Sequence, residues 1–152
     1  MTVRDELGDF SSVVCLKAIM TGMEDILGER ATALALTNAG RIRGREVAAG
    51  LEREGDEALE RLLARFSEAL GAAGTRLCIV DAIEREGQEL VARTRETVCS
   101  YGEPAGSERR CTYTLGVVWG ALELLTGTRL RGRHVESVLR GATHDVFRFT
   151  EL

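Results

Sequence analysis

The chain has 152 residues, enough for one domain with a substantial hydrophobic core and no need for a second. Its formal net charge of -4 arises from 24 acidic and 20 basic residues spread along the whole sequence, which argues against nucleic acid as a partner. No apolar run approaches the ~20 residues that cross a bilayer, and no charged n-region precedes an apolar core, so a cytoplasmic chain without a transmembrane segment is expected.

In chain order, residues 1–9 show no pattern, after which Ser11 or Ser12 can cap a helix running to about Leu27. Leu16, Ile19, Met20, Met23 and Leu27 form its narrow apolar stripe, which reads as core or, in part, as a seam with a second copy. After Gly28 a second helix is predicted over 29–51, carrying Gly40 and Gly44 one turn apart. The basic group Arg41, Arg43 and Arg45 reads as a solvated face, with an anionic head-group site as the alternative. A third, amphipathic helix spans roughly 56–72 on Leu59, Leu62, Leu63, Phe66 and Leu70. The period then changes, and 75–83 and 90–99 read as two strands joined by a turn at Glu86, Gly87 and Gln88.

The loop SYGEPAGSE holds Pro104, the sole proline, and leads into RCTYTLGVVWGALELLTG, residues 110–127. This run holds the sole tryptophan and reads as a central helix whose buried face is Leu115, Val118, Trp119, Leu122 and Leu125. Gly116 and Gly120 lie on a neighbouring stripe, each costing roughly 1 kcal/mol of helix propensity against alanine, a cost that close approach by another element would offset. Two helices with paired glycines either cross closely or leave room between them. After Gly127, a helix stop, residues 130–139 and 143–151 read as a closing hairpin turning at Gly141 and Ala142. The order of three helices, a hairpin, a central helix and a second hairpin is α+β, an antiparallel sheet packed on helices in a single domain over 1–152.

No nucleophile-elbow, phosphate-loop or H-E-x-x-H pattern is present, which favours a non-enzymatic role. Four cysteines without C-x-x-C spacing read as reduced thiols, with Cys15 and Cys78 as small core residues. Cys99 and Cys111 bracket a loop of eleven residues and can approach each other, as two unlinked thiols, a redox pair or a soft-metal site. Metal candidates are Cys99, Cys111, His134 and His144, with Glu136 and Asp145 nearby. His134 and Glu136, two apart in a strand, are expected to share a face, and hairpin register decides whether His144 joins them.

The segments ILGERATALALTNAGRIRGREVA, CTYTLGVVWGALELLTG and HVESVLRGATHDVFRF, in that order, resemble the 4-vinyl reductase-like hydrocarbon-binding domain across residues 26–149. The resemblance implies a fold similar to the TRAPP vesicle-tethering subunits, a homodimer through the N-terminal helices, and an apolar pocket beside the central helix. Such a pocket would take a hydrocarbon, an acyl chain or a tetrapyrrole-like molecule, in a sensory module whose output passes through a separate protein. Val118, Trp119 and Leu122 are the expected wall, Tyr101 and Tyr113 the mouth, and Gly40 and Gly44 the facing notch. No cofactor is specified. Where the family commonly has two cysteines in the closing hairpin, this chain has Leu139 and Asp145, while Cys99 and Cys111 fall where the family has its loop cysteines. The competing readings are a dimeric adaptor with a filled interior and a metal-dependent enzyme.

Overall fold

The computed structural model describes Arg4, Glu6 and residues 12–51 and 57–152. Helix α1 (Val13–Leu27) starts at Ser12, whose hydroxyl accepts the Cys15 amide, so Ser12 is the cap; Ser11 lies outside the described residues. Gly28, at φ 78, breaks the chain before α2 (Glu29–Ala49). Helix α3 (Leu59–Leu70) follows, starting after the expected Glu57 and Ala58 and ending before Ala72, while the expected first residue, Asp56, lies outside the described residues. Strands β1 (Ile79–Glu86) and β2 (Glu89–Arg95) form a hairpin around Gly87 and Gln88. Helix α4 (Tyr113–Thr126) then crosses to β3 (Leu130–Glu136), a short 3-10 turn (Val138–Arg140) and β4 (Asp145–Glu151). The four strands pair antiparallel in the order β1-β2-β4-β3. Among the described residues no helix is long and apolar enough to cross a membrane.

Two expected boundaries move for local reasons. The first strand begins at Ile79 rather than Thr75, because the Thr75 and Leu77 amides bond back to Ala69 and Leu70 and wrap the end of α3. The closing hairpin has no tight turn at Gly141 and Ala142. Residues 137–144 connect its strands instead, since Ser137 caps the Leu139 amide and starts the 3-10 turn.

Alternation along the strands gives the sheet one face toward the helices. Leu90 pairs with Phe149 and Ala92 with Phe147, and all four are buried. Arg93 and Arg148 occupy the opposite face, where Arg93 pairs with Glu84 at 2.6 Å and Arg148 with Glu89 at 3.1 Å. The core lies between the apolar face and α4, which is buried nearly all round rather than on one stripe: Val117, Val118, Ala121 and Leu122 are each 0% exposed.

Helix α4 reaches that position by direct backbone contact with α2. A Cβ on Gly40 would stand 2.3 Å from the Tyr113 carbonyl oxygen, and one on Gly44 would stand 1.9 Å from that of Val117. Reciprocally, Gly116 and Gly120 accept the Thr37 and Arg41 carbonyls at 2.3 Å and 2.0 Å from their ideal Cβ positions. The paired glycines therefore cross closely, and no space remains between them.

Gly44→Ala is expected to lower unfolding free energy by about 3 kcal/mol or more, because the methyl meets a carbonyl that cannot yield. Gly22→Ala in α1, with nothing within 4 Å of its Cβ, is expected to raise it by roughly 0.5–1 kcal/mol. Urea titrations of both variants check the contrast.

Candidate functional site

Two features of the helical layer have the geometry to bind or react. The first is an apolar cleft of about 630 Å³ bounded by α1, the C-terminal half of α2, the end of α3 and the N-terminal half of α4. Leu16, Val47, Leu51, Leu70, Leu77 and Val117 line it, and Tyr113, Arg43 and Glu46 stand on its border. Arg43 and Glu46 pair at 3.1 Å, leaving the border close to neutral. Burial raises the Tyr113 phenol above its usual pKa, with the Arg43 charge opposing. The cleft exists because Gly74 packs its Cα against Ala69, where a Cβ would lie 1.9 Å from the carbonyl oxygen, turning the chain sharply out of α3.

A second opening of about 560 Å³ is polar, lined by Glu24, Glu29, Arg30, Glu103, Arg109 and Arg110 among others. Part of its charge is paired. Arg109 holds Glu24 through two bonds of 2.6 and 2.7 Å and Glu103 through a third of 2.5 Å, and Lys17 reaches Glu103 at 2.7 Å. This network fastens the 100–110 loop to α1; an apolar molecule has nothing to gain there.

Of the residues nominated from sequence, Tyr113 borders the apolar cleft and the others lie elsewhere. Val118 and Leu122 are core residues with no exposed surface. Trp119 faces β3, where its indole N–H donates to the Leu130 carbonyl at 3.0 Å and its ring meets Phe149 edge-on at 6.4 Å. Arg41 lies 4.6 Å above that ring, and with Arg45 it pairs to Glu123, so Arg41, Arg43 and Arg45 are each matched to a carboxylate. Tyr101 is 47% exposed on the loop, and Gly40 and Gly44 are covered by α4. Val117, one residue from a nominated position, is the residue that faces the cleft; a helix buried on all sides gives no periodic signal to separate the two.

The second feature is a sealed polar cluster where the sheet meets the start of α4. Asp145 is fully buried and accepts the hydroxyls of Thr97 and Ser100, each at 2.9 Å, and the Val138 amide at 3.3 Å. Burial alone would raise its pKa, but His134, Ser100, Thr97 and Ser137 hold it at about 2. His134 lies against Phe147, its Nδ1 accepting the Cys111 amide at 3.2 Å. With Nδ1 an acceptor, the ring proton sits on Nε2, which faces Asp145 Oδ1 at 3.3 Å and steadies its charge. Cys111 Sγ touches Thr97 Oγ1 at 3.4 Å, and Cys99 Sγ lies 4.0 Å from Thr114 Oγ1.

Interaction with the Cys111 thiol lowers the Cys99 thiol below its usual range; burial opposes this, and the backbone at Thr114 and Thr112 adds to it. Cys111 is raised by the same interaction, by burial and by the charge on Cys99. Cys78 is buried as expected and pushed up to about 12 by burial and by the charges on Cys99 and Asp145. Cys15 is exposed on α1 and is not a core residue.

Donor atoms of Cys111, His134 and Asp145 fall within 4.8 Å of one another. They do not fit a metal as arranged. Ligation at Nε2 requires the proton on Nδ1, where it would oppose the Cys111 amide hydrogen, and the Asp145 oxygens are already taken by hydroxyls and an amide. His144 is remote from the cluster, bonding Asp81 at 3.0 Å on the surface. A bulge between His134 and Glu136 breaks their alternation, so Glu136 is exposed while the His134 ring is buried, and the two do not share a face. Thr97 and Ser100, which complete the cluster, had no sequence signal beyond an ordinary T-x-x-S spacing at a strand end.

No family model matches the chain, and no curated protein matches it by sequence. Solved structures do share its fold. The phenol-responsive sensory domain of the transcription activator PoxR, in a crystal structure with phenol, is similar with a TM-score of 0.72 at 14% identity, over 94% of this chain and 76% of that one. A trafficking protein particle complex subunit 3 from Naegleria fowleri, covalently bound to palmitic acid, is similar with a TM-score of 0.59 at 16% identity, over 92% of each chain. The expected likeness to TRAPP subunits is therefore present at the level of fold.

Asp145 supplies a pH test. Its folded pKa of about 2 lies below the ordinary carboxylate value near 3.9, so its contribution, on the order of 2 kcal/mol, is full above about pH 4 and lost as pH falls toward 2. Glu123, also held at about 2 against burial by Arg41, the Leu130 amide and Arg45, titrates in the same window. Asp145→Asn is expected to make the fall in unfolding free energy across that window shallower without abolishing it, as followed by urea titrations at stepped pH.

Proposed function

We propose that this chain is a non-enzymatic member of the 4-vinyl reductase-like hydrocarbon-binding group that holds a hydrophobic small molecule in the cleft between α2, α3 and α4. The cleft carries the reading. Its volume of about 630 Å³ lies within the ~300–1,000 Å³ of small-molecule sites, and its lining is mostly aliphatic, with Thr75, Tyr113, Arg43 and Glu46 as its polar members. Removing apolar surface from water contributes ~25 cal/mol per Å², so an acyl-chain-sized molecule needs no ionic anchor. Two proteins of this fold, one with phenol and one with palmitic acid, give the reading its precedent. The same reading sets the chain in the cytoplasm, where its four free thiols stay reduced.

Native mass spectrometry of freshly purified protein is expected to show polypeptide carrying a small apolar molecule. Val47→Trp, which places an indole in the cleft, is expected to weaken binding of a fluorescent fatty-acid analogue roughly tenfold, ~1.4 kcal/mol, with the helical circular dichroism unchanged. Bare polypeptide together with a probe that never saturates would overturn the reading.

A homodimer through the N-terminal helices is the second part of the proposal. Only Met20 of α1 is buried, while Val14, Ile19 and Ile26 are 57%, 59% and 84% exposed and Leu34 of α2 is 69% exposed. Exposed apolar side chains on both N-terminal helices, with Ile19 and Ile26 two turns apart on one face of α1, support an association surface. Sedimentation velocity at micromolar concentration is expected to give a dimer for the native chain and a monomer for Ile19→Glu.

A further inference from the structure

The apolar cleft contains a buried polar group that nothing in the fold uses. Thr75 lines the cleft on its α3 side, and among the described residues the Thr75 hydroxyl is buried with no hydrogen-bond partner. The backbone around it is fixed: the Thr75 amide donates to the Ala69 carbonyl at 2.8 Å, and the Leu77 amide to that of Leu70 at 2.9 Å. The side chain alone is left to turn. A rotation of about 120° about χ1 exchanges a threonine's hydroxyl with its methyl, and here the exchange breaks no hydrogen bond. An unpaired buried hydroxyl weakens a fold, whereas valine fills the same shape without that cost.

The rest of the lining limits what this hydroxyl can meet. Arg43 and Glu46 are its charged members, and they pair with each other at 3.1 Å on half-exposed side chains. No cation in the lining is left to neutralise an anion drawn inside, so a carboxylate held there would lose its hydration without compensation. Leu16, Val47, Leu51, Leu70 and Val117 offer an aliphatic chain a continuous apolar bed.

Resting on the ligand-binding reading of this cleft, we propose that its guest is an amphiphile with an uncharged hydroxyl end, a long-chain alcohol in the simplest case, and that Thr75 is the residue that selects it. The chain lies against the aliphatic lining, and the guest hydroxyl donates to Thr75 Oγ1 or accepts its proton once the side chain has turned toward the cleft. A plain hydrocarbon leaves the Thr75 hydroxyl unpaired. A fatty acid of the same length has to keep its carboxylate in water, which draws its chain away from the interior.

The test uses diphenylhexatriene, a fluorescent hydrocarbon without hydrogen-bonding groups, as the reporter of cleft occupancy, with decanol and decanoate as competitors at about pH 8, where decanoate is ionised. For the native chain, decanol is expected to displace the reporter at roughly one-tenth of the concentration that decanoate needs. Thr75→Val is expected to bind the reporter as the native chain does and to resist urea at least as well. It should need roughly fivefold more decanol, with decanoate unchanged. Thr75→Ser is expected to restore the native response to decanol. Decanol that competes no better than decanoate, or equally well against native and Thr75→Val protein, would overturn the proposal and leave the cleft a ligand site of another kind. A reporter that never binds, or that binds Val47→Trp as tightly as the native chain, would overturn the ligand-binding reading and this proposal with it.

Discussion

The crossing of α2 and α4 sets the position of everything else in the helical layer. Gly40, Gly44, Gly116 and Gly120 face carbonyl groups where side chains would otherwise stand, so the two backbones meet directly. Each glycine weakens its own helix by roughly 1 kcal/mol, and the close approach offsets this through dispersion along both axes. Because α4 is pressed against α2 on one side, Val118 and Leu122 are left to join Phe147 and Phe149 in one buried core. Trp119 is left at the β3 end, where Gly132 makes room for it: a Cβ there would stand 2.9 Å from the indole.

A second constraint holds the opposite end of α4. Asp145, at the first position of β4, ties Thr97 and Ser100, which follow β2, and the turn at Val138 into one buried group. A buried carboxylate costs several kcal/mol unless its oxygens are satisfied, so the three segments are held together by what its desolvation demands. The thiols of Cys99 and Cys111 lie inside the same enclosure. Polar side chains thus concentrate on the sheet side of the α4 N-terminus, and aliphatic ones on the α3 side.

The α+β order, the Ser12 cap, the hairpin turn at Gly87 and the α4 stop at Gly127 were all legible, because each depends on local chemistry and periodicity. The glycine pairs were legible as a close approach but not as a choice between contact and cavity, which depends on how two distant helices meet. The cleft was largely invisible. Leu77 reads as part of a short apolar strand and Val47 carries no signal of its own, while Val117 is distinguished from Val118 only by the direction it faces inside a helix buried on most sides. The His134 environment was hidden for another reason: the bulge before Glu136 and the 3-10 turn at Val138–Arg140 shift the register, which brings Asp145 rather than His144 beside it.

The backbone contact between α2 and α4 also determines which wall of the cleft can give. Sliding or separating these helices would lift four carbonyl groups out of glycine notches simultaneously, so they behave as one rigid plate. The opposing wall is not part of that plate: Leu70 and Leu77 sit where the chain leaves α3 through Gly71 and Gly74, a short segment tied to its own helix end by bonds such as Thr75 to Ala69 at 2.8 Å and Leu77 to Leu70 at 2.9 Å. Widening of the cleft to match a guest's size therefore falls to the α3 side, while the α4 side keeps its shape.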